Sequence, residues 1–387
     1  MRHPVRTIGV EEELLLVDEY DGRAVPLGME VLGRHRVGPG AVSAAGAFRS
    51  GAFEALELEL KLEQVETATP PRADLQVLAA DLRRRRALAD RLARSVGARA
   101  AALATSPLPV EPRLTPTPRY RAISREFGLT CAEQLTCGCH VHVAVASDEE
   151  GVAVLDRIRP WLAVLTAIAT NSPFWNGVDT GYAGFRTQAW SRWPSSGPTE
   201  LFGSAAGYHA TVAQLVATGS LLDEAMVYFD ARLSRRYPTV EIRVADVCLD
   251  VDDAVLVAAL SRALVDTAAA QWRAAVSPAP VSAAALRLMS WRASRSGLDD
   301  GLVHPTEQRL RPAAEVVESL LDHVRPALSS SGDLCAVEAQ LGRVLVRGSG
   351  ARRQRQVAAA TGRLSDVVAD AVERTSAEQP NPGPRTR

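Results

Sequence analysis

The sequence has almost no lysine. Lys61 is the single lysine among 387 residues, so nearly all of the 44 basic side chains are arginine. This leaves little room for Schiff-base catalysis or for a lysine that grips phosphate, whereas the planar guanidinium of arginine remains available for phosphate and carboxylate groups. The formal net charge of −1 provides no electrostatic footprint for nucleic acid or an anionic membrane.

Cysteine and long apolar runs are also scarce. The five cysteines are Cys131, Cys137, Cys139, Cys248 and Cys335. An odd, scattered set of this kind is not a disulfide framework. The most apolar stretch, residues 161–169, is too short to span a bilayer, and the N-terminus turns acidic before any long apolar run, unlike a signal peptide. We therefore expect a cytoplasmic enzyme without nucleic-acid or membrane partners.

Three common catalytic signatures are missing. The sequence contains no G-x-x-x-x-G-K-[ST] motif, no G-x-G-x-x-G after a predicted strand and no G-x-S-x-G elbow. A P-loop enzyme, a dinucleotide-binding fold and an α/β-hydrolase are therefore unsupported.

Hydrophobic periodicity predicts strands separated by helices. The predicted strands are 7–18, 54–68, 137–146 and 239–247, and the predicted helices are 72–96, 149–170, 211–229 and 252–275. Residues 281–374 are mainly helical in pattern, and residues 375–387 have the composition of a disordered tail. The spacing lacks a regular βαβ rhythm, so it predicts an α+β fold, with an antiparallel sheet covered on one face. Residues 1–374 are expected to form a single catalytic domain.

Each predicted strand has one apolar and one charged face, because side chains alternate with a period of two. The charged faces carry Glu11 and Glu13; Glu57, Glu59, Lys61 and Glu63; His140 and His142; and Glu241 and Arg243. For Glu57 and Lys61 we expect ordinary solvent-facing positions. If the four faces belong to one sheet, their acids would repel one another unless a cation lies among them.

Magnesium or manganese suits this oxygen-rich set better than zinc does. The segment CGCHVH, residues 137–142, also offers zinc-ligand residue types. In a strand, however, the cysteines face opposite to the histidines, so one tetrahedral site cannot easily collect all four. We interpret the cysteines as small core residues.

A long irregular segment at 171–197 gathers polar and aromatic residues, and loops of this length are often functional. Its candidate ligand-binding residues are Asn176, Asp179, Arg186, Gln188, Trp190 and Arg192. The arginines could bind carboxylate or phosphate, and Trp190 could form a pocket wall. A structural loop whose arginines pair with surface acids explains the same composition equally well.

The chain resembles the glutamate–cysteine ligase type 2 family, in its carboxylate–amine ligase branch. The resemblance runs from Gly9 to about residue 320. The motifs that carry it are GVEEELLLV, ELKLEQVET, RYRAI, CGCHVHVAVAS, NSPFWNGVDTGYAGFR and PTVEIRVADV. In this order and spacing the set is highly specific, whereas each motif alone is weak.

The resemblance implies a glutamine synthetase-like curved antiparallel sheet, with helices packed on one face and a helical C-terminal region at about 281–374. It implies a set of metal ligands: Glu11, Glu13, Glu59, Glu63, His140 and Glu241. Arg243 and Arg186 would be catalytic and would contact phosphate. The nucleotide site is predicted to include Asn176, Asp179, Trp190 and His142. Glu12, where related proteins often have an apolar residue, is expected to face away from this site.

The reaction implied by the family uses ATP and Mg²⁺, or Mn²⁺, to join a carboxylate to an amine through an acyl phosphate. The expected substrates are glutamate and an amine, either cysteine or another acceptor, and the expected assembly is a homodimer. Two alternatives remain at this stage: the same chemistry with a specialised amine or amino acid, and a metal-dependent hydrolase that needs no ATP.

Overall fold

The structure is a computed structural model that describes residues 5–37 and 56–376. The strands are β1 (Ile8–Asp18), β2 (Glu57–Leu58), β3 (Gln64–Ala68), β4 (Ala98–Ala101), β5 (Gly138–Ala144), β6 (Phe174–Trp175), β7 (Val178–Asp179), β8 (Ala231–Leu233), β9 (Thr239–Asp246), β10 (Gly301–Val303) and β11 (Leu310–Pro312). The helices are α1 (Gly28–Val37), α2 (Leu75–Arg94), α3 (Pro118–Glu133), α4 (Asp148–Ile158), α5 (Leu162–Ile168), α6 (Phe185–Trp190), α7 (Ala205–Ala217), α8 (Val251–Arg273), α9 (Ala283–Ser296), α10 (Ala313–Ser331), α11 (Leu334–Arg347), α12 (Gly350–Thr361) and α13 (Leu364–Ser376).

One antiparallel sheet of seven strands, counted over the described residues, organises the fold. Its strands run in the order β2-β3-β1-β5-β9-β8, and β4 pairs with the second half of β1. The first half of β1 lies between β3 and β5. The predicted α+β class with an antiparallel sheet is therefore confirmed, and the strands predicted at 7–18, 137–146 and 239–247 all belong to this sheet.

Helices cover one face of the sheet because each strand directs its apolar residues to that side. Val10 of β1, Val141 and Val143 of β5, and Ile242 of β9 are at most 1% exposed. They belong to one hydrophobic core with residues of α4, α5 and α8. The 23-residue helix α8 has most of its residues buried there, as expected for a helix that packs on several sides. The opposite face remains open for polar side chains.

The predicted helices are largely correct, with differences at their ends. The helix predicted at 149–170 is split into α4 and α5 by a 3₁₀ turn at Arg159–Trp161, where Pro160 lacks the N–H that a continuous helix would use. A helix was predicted at 211–229, but these bounds are wrong, since α7 spans Ala205–Ala217. Among the described residues, no helix is long and apolar enough to cross a membrane.

The acidic segment predicted as a single strand at 54–68 is a hairpin instead. Strands β2 and β3 pair with each other, Glu57 opposite Glu66. Between them, Lys61 forms a bridge with Leu114, and its ammonium group donates a 2.9 Å hydrogen bond to the carbonyl of Ala132. Lys61 is 2% exposed, so its predicted solvent-facing position is wrong. The strand alternation stops at this turn.

Glu12 faces away from the open side of the sheet, as predicted. It is fully buried and makes two hydrogen bonds with Arg86 of α2, at 2.6 and 2.9 Å. Arg86 also donates to the carbonyls of Cys248 and Leu249. Arg86 is the last of four consecutive arginines at residues 83–86, a run that suggests a solvated helix face, yet this residue is fully buried. A helix residue in such a run is solvated only if its own face avoids the core.

The C-terminal helices confirm the helical pattern predicted for 281–374, which is interrupted by the β10–β11 hairpin. They also contact the N-terminal half of the chain. The Gln354 side chain donates to both oxygens of Asn171, and the backbone N–H of Ala102 donates to Thr375. The predicted tail at 375–387 begins inside α13, and the rest of it lies outside the described residues.

Candidate active site

The polar faces of four strands meet at one cavity on the open side of the sheet. The register places Glu11 opposite His140, Glu13 opposite Glu66, and His142 opposite Glu241. All six side chains line a cavity of about 560 Å³. The four separate segments therefore converge on a single acidic cavity.

The described residues contain two groups that could hold a metal ion, and the first is formed by Glu11, His142 and Glu241, with one ligand atom of each within 4.8 Å of the others. Glu11 lies 3.2 Å from His142 Nε2, while His142 Nδ1 is 2.9 Å from the hydroxyl of Thr239. Burial alone would raise the pKa of Glu11, but hydrogen bonds with His140 and His142 hold that pKa below its usual value. This carboxylate therefore stays ionised.

The second group contains only carboxylates: Glu13, Glu59 and Glu66 offer oxygens within 4.8 Å of one another. Burial raises the pKa of all three. For Glu66 the hydrogen bond to Glu59 raises the pKa further, well above its ordinary value. The backbone N–H of Gly138 donates a 2.6 Å hydrogen bond to Glu13. Three acids this close resist simultaneous ionisation unless a cation joins them.

Arg243 is the cationic counterpart of these acids. It lines the cavity from β9 and donates to Glu241. Burial would lower its pKa, but the negative charge of Glu241 raises it, so Arg243 remains charged. Its Nε has no hydrogen-bond partner among the described residues, which leaves a buried donor available to an anionic ligand.

Arg186 lies directly beside Arg243. It is 4% exposed, its Nη2 donates to the carbonyl oxygen of Arg243 at 3.4 Å, and its Nη1 lies 3.9 Å from Asp246. A side chain at Gly138 would place its Cβ 2.3 Å from Arg186 Nη2, so glycine is needed there for this close approach. The guanidinium groups of Arg186 and Arg243 lie 5.9 and 6.0 Å from the ring of Trp190.

Trp190 and both histidines of β5 line the cavity, as expected. His140 Nδ1 lies 3.6 Å from Glu11, and burial together with the charge of Arg243 lowers the pKa of His140 to about 4. His140 is therefore neutral at physiological pH. Among the described residues, His142 belongs to a candidate metal group and His140 does not. The sequence predicted the reverse, with His140 as a metal ligand and His142 in the nucleotide site.

Three predicted site residues lie elsewhere. Glu63 accepts hydrogen bonds from the backbone N–H of Arg113 and does not line the acidic cavity, because the turn before β3 breaks the assumed alternation. Asn176 accepts from the backbone N–H of Val110, in a different pocket. Asp179 forms an ion pair with Arg355 of α12. The structure gives no support to these three assignments.

Several cavity residues were not identified from the sequence. Glu66 takes the place predicted for Glu63, and it belongs to the same acidic motif, three residues further on. Arg232 makes two hydrogen bonds to Glu241, at 2.8 and 3.1 Å. Tyr120, which lies in the RYRAI motif, and Tyr228, which has no sequence signal beyond its residue type, also line the cavity. Glu66 could have been found by allowing the acidic strand a second register.

The start of the 171–197 segment is anchored in the core. Asp246 accepts hydrogen bonds from the backbone N–H of Asn171 and the hydroxyl of Ser172, at 2.8 and 2.7 Å. Ser172 in turn accepts from the backbone N–H of Arg186. The segment is thus a built part of the site rather than a surface loop, which favours the functional interpretation of its composition.

Comparisons with known proteins agree with this geometry. A family model described as glutamate-cysteine ligase family 2 matches residues 7–374. A Streptomyces coelicolor protein that carries the provisional name glutamate–cysteine ligase 2 is 52% identical over 374 residues, which cover 96% of this chain and 100% of the relative. A relative from Streptomyces avermitilis with the provisional name glutamate–cysteine ligase 2-1 is 51% identical over 372 residues, 96% of this chain and 99% of the relative.

Solved structures share the fold at low identity. The glutamate–cysteine ligase of Francisella tularensis in complex with AMP has a TM-score of 0.66 at 12% identity, over 98% of this chain and 90% of that chain. A bifunctional glutathione synthetase from Pasteurella multocida has a TM-score of 0.69 at 14% identity, over 96% of this chain and 52% of that chain. These likenesses establish the architecture.

The matched family and the acidic, arginine-containing cavity define an ATP-dependent ligase that forms a carbon–nitrogen bond. More particularly, the chain belongs to the glutamate–cysteine ligase family 2, which confirms the resemblance found in the sequence.

Proposed function

We propose that this enzyme activates the γ-carboxylate of glutamate with ATP and transfers the acyl group to an amine. The observation that carries the proposal is the meeting of two carboxylate-rich groups with Arg243 in one cavity. The first step brings two anions together, so electrostatic stabilisation is the main requirement for catalysis. Among relatives, the name glutamate–cysteine ligase recurs, which supports an amine, either cysteine or another, as the acceptor. The homodimer predicted from the family stays a prediction.

The donor set fits two divalent cations of the magnesium or manganese type. Carboxylate oxygens dominate both groups, and such hard oxygen ligands suit these ions. Glu13, Glu59 and Glu66 would hold one ion, and Glu11, His142 and Glu241 the other. Burial, and then repulsion from neighbouring carboxylates, raises the pKa of Glu13, Glu59 and Glu66, and a bound cation would stabilise their ionised forms. Bound ions would neutralise charge on the phosphate oxygens and the attacking carboxylate.

Besides the metal ions, Arg243 and Arg186 would stabilise the negative charge that develops in the first step. When a glutamate oxygen attacks the γ-phosphorus of ATP, negative charge spreads over the transferring phosphoryl group. Arg243 has a free buried donor at the cavity wall, so it would contact that group. Arg186 lies behind it and would add positive potential in a site of low dielectric constant.

We assign the nucleoside of ATP to a second cavity of about 230 Å³ that adjoins the first. Glu11, Glu66 and His142 line both cavities, so a nucleotide there would direct its phosphates toward the acidic groups. The rest of its wall includes small uncharged residues such as Ala68 and Pro238, which suit a neutral heterocycle. The hairpin between β8 and β9 borders both cavities.

The direct test is ADP release with glutamate and a panel of amines, combined with mass detection of the product. Formation of a γ-glutamyl amide that depends on ATP would support the proposal. Turnover of an amide or ester without ATP would favour the metal-dependent hydrolase instead. Hydroxylamine is a useful acceptor in this panel because it traps an acyl phosphate as a hydroxamate without needing a shaped binding site.

Replacing Glu66 with glutamine is expected to raise the Mn²⁺ or Mg²⁺ concentration needed for half-maximal activity at least tenfold, since one carboxylate ligand is lost. Glu63→Gln is the matched control, because its carboxylate binds the backbone of Arg113 outside the cavity. Both effects can be read from metal titrations of turnover and from Mn²⁺ binding without substrates. Equal metal dependence of the two variants would contradict the assignment of Glu66.

Metal binding is expected to release protons at pH values below the raised pKa of Glu66. The pKa of Glu66 lies well above its usual value because of burial and the neighbouring Glu59, so the metal-free site retains a proton, whereas a metal ligand must be deprotonated. Calorimetric titration in buffers of different ionisation enthalpy measures the number released. Release should decline as the pH rises through the raised pKa, and Glu66→Gln should lower it; proton uptake on binding would refute the charge arrangement.

A further inference from the structure

At the end of the cavity next to α3 the wall is mostly aromatic. We call this end the aromatic recess, and it is lined by Tyr120, Ile123, Trp190, Trp193 and Tyr228. The ring centroids of Trp190 and Tyr228 lie 5.0 Å apart, and those of Trp193 and Tyr228 lie 5.7 Å apart. Burial raises the pKa of both tyrosines, so their phenols remain uncharged. This end therefore offers flat apolar surface and neutral hydroxyls.

The arginines around the aromatic recess already have acidic partners. Arg119 forms an ion pair with Asp223, and Arg232 holds Glu241. Within residues 5–37 and 56–376, Arg236 is the one cavity-lining arginine without an ion pair, and it borders the second cavity on the β8–β9 hairpin. Arg243, beside Trp190, is assigned above to the transferring phosphoryl group, so a carboxylate brought into the aromatic recess would lose water without gaining a cation of its own, which is costly.

The aromatic recess adjoins the proposed reaction centre. Trp190 is one of its walls and also lies 6.0 Å from the guanidinium of Arg243. A ligand bound against Trp190 and Tyr228 would therefore lie beside Arg243, the residue proposed to contact the transferring phosphoryl group. An aliphatic amine is mostly protonated in water, and transfer to an apolar environment lowers its pKa. The carboxylates near Tyr120 and Tyr228 act in the opposite direction, since they attract the ammonium form and would draw an amine to this end of the cavity.

We propose that the aromatic recess binds the amine acceptor, and that this acceptor is a primary amine on an uncharged, hydrophobic body without a carboxylate beside the amine. The proposal rests on the function proposed above and adds the chemical class of the second substrate. The amine nitrogen donates its lone pair to form the C–N bond as the C–O bond to phosphate breaks. Phosphate leaves with that bonding pair, and the proton lost from nitrogen passes to solvent.

Matched acceptor pairs test this class with the full-length enzyme, ATP, glutamate and Mg²⁺. We expect kcat/KM to be at least tenfold higher for 2-phenylethylamine than for phenylalanine, and higher for cysteamine than for cysteine. Hydroxylamine serves as the reference acceptor. Hydroxamate formation with equal or better use of the two amino acids would overturn this inference and leave the ligase function intact, whereas absence of any ATP-dependent hydroxamate would contradict the ligase function itself.

A substitution in the aromatic recess tests whether the acceptor binds there. Ile123→Asn introduces a polar group into the aromatic recess, and the ratio of kcat/KM for 2-phenylethylamine to that for hydroxylamine should fall at least tenfold. Leu129→Asn is the control on the same helix, because Leu129 is 69% exposed and outside the cavity lining. The ratio of the two kcat/KM values does not change when part of the protein is simply inactive. An unchanged ratio in Ile123→Asn would place the acceptor elsewhere, and the acceptor pairs still test its class if that variant does not fold.

Discussion

Replacement of Arg243 by alanine is expected to remove most ATP-dependent turnover while the protein still folds. Loss of one preorganised contact to a developing negative charge typically costs about 3–4 kcal/mol, or on the order of a hundred- to a thousandfold in rate. Arg243 lines the cavity, stays charged beside Glu241 and has an unpartnered buried Nε. The measurement is glutamate-dependent ADP release with hydroxylamine as acceptor, with folding checked by circular dichroism.

Arg192→Ala is the matched control for this experiment. Arg192 lies in the same functional segment as Arg186, but it pairs with the exposed Glu133 and does not line the cavity. Its loss should change turnover little. Wild-type turnover in folded Arg243→Ala would reject the proposed role of Arg243, and equal losses in both variants would point to a general effect of removing positive charge.

Substitution of Glu12 by leucine is expected to be the most destabilising change to the fold that we consider. The Glu12–Arg86 ion pair is fully buried, so the single substitution leaves the guanidinium charge without its carboxylate. Removing one partner of a buried pair typically costs about 3–5 kcal/mol. Urea denaturation should show a correspondingly lower free energy of unfolding, with little change in the m-value.

The double substitution Glu12→Leu with Arg86→Met separates loss of the charge pair from loss of packing. Replacing both partners by apolar side chains is often neutral or stabilising, so the double variant should recover much of the lost stability. Glu133→Gln, which breaks the exposed pair with Arg192, should have a far smaller effect. A Glu12→Leu protein as stable as wild type would show that Arg86 is satisfied by the carbonyls of Cys248 and Leu249 alone.

Predictions from strand periodicity were correct for β1, β5 and β9, which lie side by side in the sheet. In β1 and β9 one face is buried under helices, so the alternation of apolar and charged residues has to match the pleat. Glu11, Glu13, Glu241 and Arg243 therefore reach the cavity as predicted. The same argument failed for Lys61 and Glu63, because the chain turns there and bonds with the 112–114 segment.

Residues of the 171–197 segment could not be sorted by sequence, since no periodicity constrains an irregular chain. Asn176 and Asp179 were predicted to bind nucleotide together with Trp190, yet only Trp190 lines the cavity. Asp179 instead pairs with Arg355, a residue 176 positions away. Its partner comes from a helix whose packing could not be derived from local pattern.

The sequence by itself determined the family, the antiparallel sheet and the identity of the acidic strands, because these depend on short-range alternation and on motif order. Tertiary structure alone decided how the carboxylates divide into two groups, that Glu66 rather than Glu63 joins them, and that the cavity ends in an aromatic wall. Those features depend on the register between strands and on side chains from distant segments that meet only when the core is packed.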